Sequence, residues 1–109
     1  MSDDSTYEVK VAPAANDKMA EHFEFLARVS LSAAQRLLDG LMRDIKSLEK
    51  LPLRNPTFDR PYVPALKYRY LMSGKRYRIV YQVVETTVSV DDIQDCRQND
   101  DKDLLAQNN

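Results

Sequence analysis

Tryptophan is absent from this chain of 109 residues, and cysteine, histidine and glycine are scarce: one Cys, one His and two Gly. Each shortage excludes something. A lone Cys96 rules out an internal disulfide and fits a reducing, cytoplasmic setting. Without a CxxC, an HExxH or a group of histidines, no zinc site is expected, and no other metal or cofactor is implied. Gly40 and Gly74 alone cannot build a GxGxxG or a P-loop. No window approaches the roughly 18 apolar residues of a membrane span, so no membrane partner is expected. The start, MSDDSTYE, is acidic and lacks an apolar run, so no signal peptide is expected.

What is present is charge, and it is segregated. A hydrophobic content of 43% and a charged content of 30% suit one soluble globular domain with a modest core. The net charge is only −1, yet residues 1–24 carry six acids against two bases. Residues 50–78 reverse this, with eight bases against Asp59 alone, and residues 79–109 return to seven acids against two bases. A basic centre between acidic ends reads either as a patch for a polyanion or as solvated side chains scattered over a surface.

The hydrophobic periodicity orders the elements. Thr6–Val11 alternates as a half-buried strand. Pro13 opens a helix, where its missing N–H costs nothing, and Ala15, Met19, Phe23 and Leu26 follow helical spacing. Ser32-Ala-Ala-Gln35 reads as a capping box for a second helix with the stripe Ala34, Leu37, Leu38, Leu41, Ile45 and Leu48. Pro52 ends it, and residues 52–65 form a loop with four prolines. Two tyrosine-rich runs then form a hairpin within Leu66–Val84. A last strand spans Thr87–Ile93, where Asp91-Asp92 breaks the alternation and implies a bulge. The expected domain covers 6–98, flanked by polar tails at 1–5 and 99–109, the latter a short helix or disordered. The order β-α-α-β-β-β predicts an α+β domain with a helical hairpin packed on one face of a small, mostly antiparallel sheet.

The hairpin carries the candidate chemistry. With Ser73-Gly74 as a two-residue turn, Met72 faces Lys75, Tyr70 faces Tyr77 and Arg69 faces Arg78. Like charges directly opposite cost a few tenths of a kcal/mol, which a phosphate or carboxylate held between them would offset. Lys67 and Arg69 share a face by alternation, and Arg97 follows the last strand. Arginines converging on one phosphate would suit RNA binding, and would stabilise the charge that builds on phosphorus during cleavage. Tyr68, Tyr70, Tyr77 and Tyr81 are candidates for base stacking, although aromatic pairs of this period are ordinary core residues. His22 borders an apolar stripe and reads as a boundary residue. Cys96 has no histidine near it and reads as a small buried or half-buried side chain.

The strand, the helical hairpin, the proline-rich loop, the run Tyr77-Arg78-Ile79-Val80-Tyr81-Gln82-Val83 and the arginine closing the last strand together resemble the RelE/ParE superfamily of type II toxins. The resemblance covers about residues 6–98. It implies a growth-inhibiting toxin neutralised by a cognate antitoxin. In its RelE-like form it implies an mRNA endoribonuclease acting on the ribosome, with Arg69, Arg78 and Arg97 as catalytic residues and Lys67, Lys75 and Arg76 as RNA contacts. Two departures stand out: Leu71 replaces a second family lysine, and no tyrosine follows Tyr81. ParE-like members share the fold, lack that catalytic set and poison DNA gyrase. A degenerate toxin that only binds its antitoxin is the third form.

Overall fold

The computed structural model describes residues 6–97. The expected tails at 1–5 and 99–109, with the short C-terminal helix, lie outside the described residues. Strand β1 is Glu8–Val11, helix α1 is Pro13–Ala27 and helix α2 is Leu31–Ser47. Strands β2 (Tyr68–Ser73), β3 (Tyr77–Val84) and β4 (Thr87–Asp95) follow a single 3-10 turn at Pro52–Arg54. The sheet order is β1-β4-β3-β2. β1 runs parallel to β4, and the other pairs are antiparallel. This is the predicted α+β architecture.

Local chemistry explains the helix ends. Pro13 occupies the first turn of α1, where no N–H is needed. The cap of α2 is Ser30, whose Oγ accepts from the Ala33 amide at 3.1 Å, two residues before the Ser32 box that sequence spacing indicated. Ser32 instead lies inside the helix, with its hydroxyl 3.2 Å from that of Ser30.

One face of the sheet meets the helices. Ile79, Tyr81, Val88, Val90 and Ile93 are fully buried there against Ala15, Met19, Leu41, Ile45 and Leu48. Beyond Val90, β1 no longer borders β4, and α1 takes over its outer edge. His22 Nε2 lies 2.8 Å from the Ile93 carbonyl, which only accepts, so Nε2 carries the proton. His22 is therefore buried and bonded, not the boundary residue its position suggested.

Among the described residues, no helix covers the other face. The proline-rich loop folds over it, pairs with the edge of β2 through Thr57 and Arg69, and buries Phe58 against Tyr68 and Val80. The predicted bulge is present: the ladder slips between Val80 and Tyr81, leaving Asp91 without an opposite residue.

Candidate functional site

The β2–β3 register corrects the expected hairpin. Ser73 pairs with Tyr77, so the loop is Gly74, Lys75 and Arg76, with Gly74 in the left-handed region at φ 63°. Ser73 cannot be a turn residue because α2 holds it. It is buried, and its hydroxyl donates to Asp44 Oδ2 at 2.7 Å. The extra loop residue moves every cross-strand partner. Arg69 lies opposite Tyr81 instead of Arg78, and Arg78 lies opposite Met72. An odd slip exchanges faces on a period-2 strand, so Arg69 and Arg78 point to opposite sides of the sheet.

The cations predicted to share one site therefore have separate tasks. Arg69, on the helix side, donates from Nη1 to the Asn55 carbonyl at 2.6 Å. The same loop is held by Tyr81, whose hydroxyl donates to the Pro52 carbonyl and accepts from Asn55 Nδ2. Burial pushes the Tyr81 phenol above its ordinary pKa. Arg76 and Arg97 both attend Asp95. Arg76 Nη2 lies 2.8 Å from Asp95 Oδ2, and the Arg97 amide donates to Oδ1 at 3.0 Å. Burial alone would raise the Asp95 pKa, but these hydrogen bonds and the two guanidinium charges outweigh it and hold the carboxyl below its usual range. Lys67 and Lys75 are exposed, Lys67 with its ammonium 5.4 Å from the Tyr68 ring centroid.

Of the expected set, Arg78 lines a concavity. On the loop side, Thr57, Phe58, Asp59, Arg60, Tyr70 and Arg78 line a polar pocket of about 230 Å³. The Arg60 guanidinium lies 4.3 Å from the Phe58 ring centroid. That of Arg78 lies 5.6 Å from Phe58 and 5.5 Å from Tyr70. Among the described residues, neither arginine has a carboxylate partner within ion-pair distance. Arg60 donates to the Asp59 backbone carbonyl, while the Asp59 carboxylate accepts from Thr57 at 3.2 Å.

Arg78 is held from behind by a buried chain of polar groups. Lys18 Nζ on α1 lies 3.1 Å from Asp92 Oδ1. Asp92 Oδ2 accepts from Gln94 Nε2 at 3.0 Å, and Gln94 Oε1 accepts from Arg78 Nη1 at 2.8 Å. A carboxylate only accepts, so Asp92 fixes which end of the Gln94 amide meets Arg78. Sequence reasoning missed Arg60 and Gln94. Arg60 sits in a loop without periodicity, and a glutamine at a strand end carries no signal of its own.

A second concavity, of about 300 Å³ and mostly apolar, lies between the helices at Asn16, Met19, Ala20, Phe23, Glu24 and Leu38. Phe25, Val29 and Leu31 stand exposed at the α1–α2 corner. Among the described residues no helix is long and apolar enough to cross a membrane, and no three metal-ligating side chains gather.

A family model described as "ParE toxin of type II toxin-antitoxin system, parDE" matches residues 9–100. No curated protein sequence matches the chain. Among solved structures, the fold is similar to a chain of the chromosomal ParDE TA system from P. aeruginosa. The TM-score is 0.68 at 12% identity, covering 84% of this chain and 97% of that one. At such identity the likeness speaks for the fold alone.

Proposed function

Because the chain belongs to the ParE toxin family of type II toxin–antitoxin systems, we propose that it acts as a ParE-like inhibitor of DNA gyrase, kept inactive by a cognate antitoxin. The observation that carries this reading over RelE-like mRNA cleavage is the hairpin register. Cleavage by the expected set needs Arg69, Arg78 and Arg97 around one phosphate, and the register sends Arg69 and Arg78 to opposite faces of the sheet. Arg97 adds nothing to either, being turned to Asp95. The proton-transfer half of a nuclease is equally thin. No tyrosine follows Tyr81, and His22, the single histidine, is buried against β4. The toxin domain is taken as residues 6–98, with the cytoplasm as its place of action.

The test is induced expression in bacteria with separate readouts of DNA and of translation. Gyrase-dependent DNA breaks, relaxed plasmid supercoiling and intact messages are the expected result. Primer extension that finds reporter messages cut on translating ribosomes, with supercoiling unchanged, would return the chain to the RelE-like branch. Copurification with the product of the adjacent reading frame checks the antitoxin.

A further inference from the structure

Among the described residues, Arg60 and Arg78 are two guanidinium groups without carboxylate partners, half-buried around one aromatic pair. Lys18 and Arg76, by contrast, each meet a counter-charge, Lys18 at Asp92 and Arg76 at Asp95. Arg69, like Arg60, meets a backbone carbonyl. Arg60 and Arg78 instead face a pocket of about 230 Å³. Like charges brought together at reduced solvation repel, and an oxyanion between them removes that cost. The chain Lys18–Asp92–Gln94 holds one Arg78 N–H from behind and leaves the rest of its planar fork directed elsewhere.

We propose that the Arg60–Arg78 pocket binds a single carboxylate side chain, Glu or Asp, presented by a partner protein, with Gln94 as the positioning residue for Arg78. A nucleic acid fits less well. Single-stranded binding sites offer aromatic faces for bases and a continuous track of cations. Here Phe58 is 2% exposed, Arg60 lies over its ring and Arg78 lies by both rings. Outside the pocket the same face carries Asp91 beside Gln82 and Ser89, which would repel a phosphodiester backbone running across the sheet, whereas Asp59 in the pocket wall opposes either anion alike. The half-buried Tyr70 ring offers apolar surface to the methylenes of the incoming acid. The site is defined by geometry and holds whichever cellular target the toxin has.

The test uses the full chain, labelled with nitrogen-15, and follows the arginine Nε–Hε resonances at low salt. The probes are a capped Ala-Glu-Leu tripeptide, its Ala-Gln-Leu counterpart and the dinucleoside phosphate of two uridines. The Glu peptide should shift Arg60 and Arg78 saturably, and the Gln peptide should bind about tenfold more weakly or less. Arg78→Gln and Arg60→Gln should each weaken Glu-peptide binding about tenfold with the backbone spectrum retained. Gln94→Leu should weaken it several-fold and lower the heteronuclear NOE of Arg78 Nε, a loosening that a purely structural role would not produce. Equal binding of the two peptides, or binding unchanged in both arginine variants, would overturn the proposal. So would a dinucleoside phosphate that shifts the same two side chains at lower concentration than the Glu peptide.

Discussion

The two faces of the sheet handle charge in opposite ways. On the helix side, Arg69 and Asp95 sit at the border of an apolar core, and each is spent on structure. Arg69 staples the loop at Asn55, and Asp95 gathers Arg76 and Arg97. On the loop side, Arg60 and Arg78 surround Phe58 and, among the described residues, have no carboxylate within ion-pair distance. The same residue type thus serves stability on one face and is held open on the other. The difference comes from what packs above: two helices exclude water and demand partners, whereas the proline-rich loop leaves a concavity.

The largest effect should come from the group that joins the two faces. Asp92 is fully buried and accepts from both Lys18 and Gln94. Asp92→Ala should destabilise the fold by about 3–5 kcal/mol, because it removes the buried ion pair with Lys18 and the acceptor of the buried Gln94 amide. Urea denaturation measures this, and a loss under 1 kcal/mol would mean that the clamp contributes little.

The arginines themselves sharpen the contrast. Arg69→Ala should cost about 1.5–2 kcal/mol through its lost charge-assisted bond, whereas Arg78→Ala should cost about 1 kcal/mol or less, because relief of the crowding with Arg60 offsets part of the lost bond to Gln94. Equal losses in paired melts would erase the distinction between the faces.

Asp95 gives the helix side a pH signature in acid. Its folded pKa lies below the ordinary value, so its stabilisation is fully present above the unfolded pKa of about 4. That stabilisation fades as pH falls through the folded pKa. Asp95→Asn should therefore cost about 1 kcal/mol at neutral pH, and the gap to wild type should close in acid. A gap that stays constant from neutral pH to pH 3 would contradict the pairing.

The smallest effect concerns α2. A Cβ on Gly40 would meet Arg43 at 3.6 Å and Ser73 at 3.9 Å, ordinary contacts. Gly40→Ala should stabilise by about 0.5–1 kcal/mol by lowering the entropy of the unfolded chain. Destabilisation in a thermal melt would show that the Ser73 contact with α2 is tighter than its distances imply.

Much of the fold was legible in the residues alone. Period-2 and period-3.6 patterns, Pro13, Pro52 and the Asp91-Asp92 break set element order, helix stripes and bulge, because these depend on neighbours a few positions away. The run from Tyr77 to Val83 carried the superfamily for the same reason. The site was not legible, because it depends on register, and register was decided by a contact between distant segments. Ser73 is drawn into β2 by Asp44 on α2, the turn grows to three residues, and every side chain of β2 changes the partner it meets on β3. Arg60 reaches the site only because Phe58 anchors an irregular loop on Val80 and Tyr68. Local sequence determined which elements form. Long-range packing alone decided which arginines share a face, since a slip of an odd number of residues keeps the pattern and exchanges the sides.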